Sequence, residues 1–137
     1  DLDGDGRPEL VASKYQNNLT YETESAIFWN GPDGFSKDRI TWLPTGGTIG
    51  CTTGDLDGDG ELELAVGEHS PFRPEQECRT MIYKREDAQG VSWKASVIDD
   101  RFEHHDGMKI FEVDDGQLGI VSHGWKDSAF VHLWTVD

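Results

Sequence analysis

The chain repeats itself. Asp1-Leu-Asp-Gly-Asp-Gly-Arg-Pro-Glu-Leu-Val returns as Asp55-Leu-Asp-Gly-Asp-Gly-Glu-Leu-Glu-Leu-Ala, an offset of 54 residues. A degenerate third copy, Glu112-Val-Asp-Asp-Gly-Gln-Leu-Gly-Ile-Val, follows 57 residues later. Periods in this range belong to architectures in which each unit buries its apolar face against the next. Downstream segments correspond too. Ala26-Ile-Phe-Trp-Asn, Thr80-Met-Ile-Tyr-Lys and Val131-His-Leu-Trp-Thr align Trp29, Tyr83 and Trp134 as equivalent positions. With Ile27, Ile82 and Leu133 beside them, these aromatics are expected to fill space between units.

No apolar stripe of helical period is sustained anywhere. The apolar runs are short, rich in β-branched and aromatic residues, and bounded by Gly, Pro, Asn and Asp, so they read as strands. The middle repeat places them near Thr48–Thr53, Leu62–Gly67, Arg79–Lys84 and Trp93–Ile98. The first repeat supplies Glu9–Ser13, Ser25–Asn30 and Arg39–Leu43, and the third Met108–Val113, Leu118–Ser122 and Phe130–Thr135. Gly31-Pro-Asp-Gly34 is a turn between two of them. About four strands per period indicate propeller blades. The expected fold is therefore all-β: a partial β-propeller of antiparallel sheets, part of a larger ring. Its segments are 1–46 (a blade lacking its first strand), 47–100 (a whole blade) and 101–137 (a blade lacking its last strand). Three blades do not close a ring, so the remaining blades are expected elsewhere in the full-length chain. The abrupt opening at Asp1 leaves room for an upstream targeting segment.

Charge narrows the partners. Twelve Lys and Arg stand against 27 Asp and Glu, a formal net charge of −15 over 137 residues. Nucleic acid requires a basic footprint, and an anionic membrane surface attracts basic segments, so both are excluded as simple electrostatic partners. No run approaches the roughly 20 apolar residues of a membrane span. Cys51 and Cys78 form no metal-type pattern. They read as reduced, small apolar residues, with a single bridge between them left open.

The acidic loops carry the chemistry. Asp1, Asp3 and Asp5 alternate, Gly6 turns the chain and Glu9 follows; Asp55, Asp57, Asp59, Gly60 and Glu63 repeat the spacing. Calcium takes six to eight oxygens in flexible geometry. Alternating carboxylates can aim inward, and the backbone carbonyl at Arg7 or Glu61 can add one oxygen. Clustered carboxylates without a cation repel. The spacing is EF-hand-like, but the flanks argue against an EF-hand: its bidentate twelfth position is Ala12 in one copy and Val66 in the other, and a strand is expected after each loop. Asp-Gly loops also occur as plain solvated turns, but two near-identical copies in register favour a metal. About two ions are expected. The third loop keeps Glu112, Asp114 and Asp115, has Gly119 at the ninth position, and reads as a turn closing Phe111 onto Leu118.

The two DxDGDGxxEL loops, the Gly31-Pro-Asp-Gly-Phe35 turn and the period of 54–57 resemble FG-GAP/VCBS repeats across the whole chain. The resemblance implies a calcium-binding propeller, commonly seven-bladed, of the kind found in integrin heads, fungal lectins and secreted bacterial proteins. Some of the bacterial proteins are polysaccharide lyases. Glu9 and Glu63 stand where the family usually has Asp. Val66-Gly-Glu-His-Ser-Pro71 replaces the Gly-Ala-Pro signature, which removes support for an integrin-type role.

If the acidic loop joins the first two strands of a blade, the other ends of those strands gather at the opposite face. This brings His104, His105 and Asp106 toward His123, Gly124 and Trp125. It brings Thr45–Thr48 toward Glu68 and His69, with Lys14 and Tyr15 at the same end. Three readings stay open. These residues are structural corner groups, or a sugar or protein site in which Trp125 or Tyr15 stacks on a ring, or a catalytic or transition-metal site using histidines. Adjacent residues on a strand point opposite ways, so His104 and His105 do not both reach one metal unless the chain turns there. Asn18-Leu-Thr20 is a glycosylation triplet. The resulting expectation is an extracellular or periplasmic calcium-binding module that binds carbohydrate or protein. The alternative is a piece of the catalytic propeller of a carbohydrate-active enzyme.

Overall fold

A computed structural model describes residues 1–14, 23–69, 77–104, 108–125 and 129–135. The glycosylation triplet at Asn18 and the candidate ligand residues Tyr15 and His105 lie outside the described residues. The described chain is all-β, and no helix in it is long and apolar enough to cross a membrane.

Among the described residues, ten strands form three antiparallel sheets: β1 (Leu10–Ala12), β2 (Thr23–Gly31) and β3 (Gly34–Thr45); β4 (Thr48–Gly54), β5 (Glu63–Glu68), β6 (Thr80–Arg85) and β7 (Trp93–Asp99); β8 (Met108–Asp114), β9 (Gln117–His123) and β10 (Val131–Thr135). Each sheet is a meander, with sequence neighbours paired side by side. This is the architecture of a partial β-propeller, and the three sheets are called blades below.

The core lies between blades. Ile27, Trp29 and Leu43 of the first blade meet Leu64, Val66, Met81 and Tyr83 of the second. The opposite face of the second blade presents Ala65 and Ile82 to Met108, Ile120 and Trp134 of the third. Strand alternation explains how β5 is buried along its whole length, since its odd and even residues serve different interfaces. Near the inner strands, the Ile110 N–H donates to Thr52 Oγ1 at 3.4 Å, and the Ile110 side chain lies against Gly54. The two flanking faces stay open. Leu10 and Trp42 are exposed on the first blade; Phe111, Val113, Val131 and Leu133 are exposed on the third.

Register corrects the alignment of the aromatics. Leu64 pairs with Tyr83, and its repeat equivalent Leu10 pairs with Phe28, not Trp29. Tyr83 therefore corresponds to Phe28, and Lys84 corresponds to Trp29. The side chains agree: Arg7 Nε donates to the Asn30 carbonyl at 2.9 Å, and Glu61 pairs with Arg85 at 3.2 Å at the matching positions. Trp29 and Tyr83 do pack in one interface, but from opposite sides of it. Leu133 departs from its expected core place, because its neighbours His132 and Trp134 take the inward face and leave it 54% exposed.

The third-blade turn is tighter than expected. Asp115 and Gly116, with φ of 41° and 87°, form a two-residue tip, as a primed hairpin turn requires. An irregularity between Glu112 and Asp114 shifts the pairing, so Phe111 faces Gly119 and Leu118 faces Glu112. Cys51 carries a free thiol, and burial raises its pKa against an opposing pull from Lys109.

Candidate metal centre

The two acidic loops have nearly the same geometry. In the first, the Leu2 N–H donates to Glu9 Oε2 at 2.6 Å, the Gly6 N–H to Asp1 Oδ2 at 3.0 Å and the Arg7 N–H to Asp5 Oδ1 at 2.9 Å. In the second, the Leu56 N–H donates to Glu63 Oε2 at 2.7 Å, the Gly60 N–H to Asp55 Oδ2 at 3.0 Å and the Glu61 N–H to Asp59 Oδ1 at 2.9 Å. Gly6 and Gly60 take φ of 87° and 90°. This left-handed conformation lets the chain double back so that alternate carboxylates converge.

Carboxylate oxygens of Asp1, Asp3 and Asp5 can come within 4.8 Å of one another, as can those of Asp55, Asp57 and Glu63. The ninth-position glutamates are the informative ones. The Glu9 and Glu63 side chains are 1% and 3% exposed. Each uses Oε2 to hold a leucine N–H, while its Oε1 is buried without a hydrogen bond; Asp55 Oδ1 is in the same state. A buried carboxylate oxygen lacking a donor is costly. Accordingly, burial raises the Glu63 pKa; the Leu56 N–H opposes this, and the Asp57 charge adds to it. This donor set, all oxygen and partly buried, fits a hard divalent cation.

The leucines carry the loops into the core. Leu2 is buried in the interface between the first and second blades, and Leu56 in that between the second and third. Glutamate and leucine together fix each loop to a blade interface. The loops differ in their local cations. Arg7 pairs with Asp5 at the rim of the first. In the second, the Lys84 ammonium from β6 sits on Asp57 Oδ2, lies 2.6 Å from Asp59 Oδ2 and is 3.6 Å from Glu63 Oε1. Hydrogen bonds to Asp57 and Asp59 hold the Lys84 pKa above its usual value, and the same contact lowers that of Asp59. An open groove of about 550 Å³, lined by Asp55, Asp57, Gly116 and Leu118, runs beside the second loop.

Residues 1–66, a span containing both acidic loops, match the family of FG-GAP-like repeats. That segment is similar to an FG-GAP-like repeat. No curated protein and no solved structure matches the chain. Such repeats are typically extracellular domains.

The opposite end of the blades gathers the other expected residues, in roles the sequence did not reveal. Glu68 is fully buried, accepting from the Gly46 N–H at 2.5 Å and from Arg79 Nη2 at 2.6 Å. His104 is 1% exposed, with Nε2 paired to Thr80 Oγ1 at 2.6 Å and Nδ1 to Ser122 Oγ at 2.8 Å. Burial first, then His132, lowers its pKa to about 4, against Asp99 and Glu68, which pull it up. His69 is buried and meets Glu103, whose other oxygen accepts from the Trp125 N–H. The His69 and Trp125 rings lie 6.2 Å apart, and Trp125 is 46% exposed. His123 is exposed, with Nδ1 3.1 Å from the Gly124 carbonyl. Sequence reasoning missed Arg79, Glu103 and Lys84. The first two meet their partners only through sheet pairing and blade packing. Lys84 gave one signal, a cation two residues from Ile82 on the same strand face.

Proposed function

We propose that this chain is a calcium-binding, extracellular β-propeller module whose loop-held ions brace neighbouring blades, the blades being 1–46, 47–100 and 101–137. One observation carries the reading: the buried, undonated Oε1 of Glu9 and of Glu63, each on a carboxylate whose other oxygen anchors the loop. Asp1, Asp3, Asp5 and Glu9 would hold one ion, and Asp55, Asp57, Asp59 and Glu63 the other, with backbone carbonyls at Arg7 and Glu61 as further donors. A bound divalent ion supplies the positive charge these oxygens lack, and two of them move the formal charge from −15 to −11. The chain's own part is mechanical. Glu9 and Glu63 hold Leu2 and Leu56 in the blade interfaces, so ordering a loop orders an interface. Millimolar extracellular calcium suits open loops of modest affinity.

The test is thermal unfolding in calcium and in chelator, with calorimetric titration. About two ions per chain and a melting temperature raised by several degrees are expected, since ligation at 100 times Kd adds about 2.7 kcal/mol per site. Glu9→Gln with Glu63→Gln should remove most of that shift. An unchanged melting temperature in calcium would make the loops self-contained turns.

Exposure of Trp125, with its backbone held by Glu103 beside His69, favours a ligand-binding role for the opposite face. An exposed indole offers a stacking surface for a sugar ring, and the acidic chain favours a neutral glycan over an acidic one. The catalytic alternative is weaker, because His69 and His104 are buried and engaged. Trp125→Ala should abolish retention on a neutral glycan array in calcium buffer without shifting the melting temperature. Equal retention by the variant would remove Trp125 from the site.

A further inference from the structure

The two acidic loops share backbone hydrogen bonds, glycine conformations and a buried glutamate, yet among the described residues a lysine side chain from a neighbouring strand enters the second loop and not the first. The Lys84 ammonium contacts Asp57 and Asp59 and lies 3.6 Å from Glu63 Oε1, the oxygen without a hydrogen bond. The matching position in the first blade is Trp29, whose indole N–H donates to Thr41 Oγ1 at 2.9 Å inside the blade interface. The nearest cationic side chain of the first loop, Arg7, pairs with Asp5 at the rim and is tied by Nε to the Asn30 carbonyl.

We propose that Lys84 is a built-in competitor for the second loop, so that the two sites take a divalent cation at different concentrations. The inference rests on the calcium reading above and adds an order of filling to it. The first loop fills first. The second fills as the ion displaces the Lys84 ammonium from Asp57 and Asp59, because two cations drawn to the same carboxylates at this range repel each other. Without the ion, Lys84 neutralises part of the acidic cluster. Two requirements that usually conflict are met at once: the loop stays folded at low calcium, and it still responds at high calcium. The Glu63 side chain, almost wholly buried with one oxygen lacking a hydrogen bond, marks the position as unfinished even with Lys84 in place.

Calorimetric titration with calcium chloride tests this on the whole chain, using wild type, Lys84→Met, Lys84→Gln and Lys84→Arg. Each is also made in a Glu9→Gln background, which weakens the first loop and isolates the second. Wild type should show two unequal sites. Lys84→Met and Lys84→Gln should tighten the weaker one roughly tenfold, as loss of a competing contact to three carboxylates implies. Lys84→Arg should stay close to wild type. In chelator the neutral variants should melt lower than wild type, and in saturating calcium the gap should close or reverse. Both neutral variants are used so that a folding defect in one does not decide the result. A second-site affinity unchanged or weakened in both, with calcium still bound, overturns the role of Lys84 and leaves the calcium reading standing. No calcium binding by any variant overturns the calcium reading and this inference together.

Discussion

Gly90→Ala should lower the stability of the chain by about 2–4 kcal/mol. Gly90 lies in the turn between β6 and β7 with φ of 70°. Its Cα faces the Trp29 indole of the neighbouring blade so closely that an added Cβ would overlap Cζ2 and Cη2 and stand 2.9 Å from Cε2. Two costs then add: left-handed backbone for a residue with a side chain, about 1 kcal/mol, and overpacking against a buried ring, about 1–3 kcal/mol. The ring cannot step aside. Its N–H donates to Thr41 Oγ1, and that hydroxyl donates to the Gly90 carbonyl at 2.7 Å. The Trp93 indole N–H reaches the same carbonyl at 2.9 Å. Gly116→Ala is the matched control, with φ of 87° and nothing within 4 Å of an added Cβ. It should cost only the backbone part. Denaturant midpoints of the two variants measure the difference, and equal losses would mean that Trp29 yields and the contact is not a lock.

This contact also shows where the sequence stops being legible. The strands were readable because each is short, apolar and bounded by turn residues, and every expected strand of the middle repeat overlaps an observed one. The acidic loops were readable because every chemical requirement sits within nine consecutive residues. Trp29 was misplaced by one residue because matching it to Tyr83 and Trp134 by ring type outweighed the alternation of the strand. A slip of one residue moves a side chain to the other face of a sheet. Glu103 and Arg79 were invisible for another reason. Glu103 is 34 residues from His69 and Arg79 is 11 from Glu68, and nothing local marks either as a partner. The loop motif told which residues could hold an ion. It could not tell that Leu2 and Leu56 tie each loop to a blade interface, or that Lys84 enters one loop alone, because both depend on how blades stack.

Interface placement makes the loops and the opposite face parts of one mechanical unit. The second blade contributes Leu56 and Glu63 at one end of β5 and Glu68 and His69 at the other. The loop end and the Glu68–His69 end are thus joined by a single, fully buried strand.

Between pH 6.5 and about 4, acid should remove about 3 kcal/mol of stability through His104 alone, a value converted from its pKa shift. Burial is the main cause, and His132 adds to it. The sign follows from which state takes the proton. Above pH 6.5 the imidazole is neutral folded and unfolded, and contributes no pH dependence. As pH falls below the ordinary histidine value, the unfolded chain binds a proton that the folded chain refuses, and stability drops. The loss levels off near pH 4, where folded His104 also protonates. Neither ring nitrogen offers an easy site, with Thr80 Oγ1 on one, Ser122 Oγ on the other, and the Trp134 ring centroid 5.3 Å away. Asp99 and Glu68 pull the other way without cancelling burial. Asp99, held low chiefly by its bond to Arg101, adds its own loss only below the ordinary aspartate value of 3.8. The two effects therefore occupy separate windows. Unfolding curves in chelator from pH 7.5 to 4 measure the first. His104→Gln, which keeps a hydrogen-bonding side chain near Thr80 and Ser122 but does not titrate, should flatten that window even if its overall stability is lower. A slope that persists in the variant would assign the acid sensitivity to other groups and leave His104 a neutral spacer between blades.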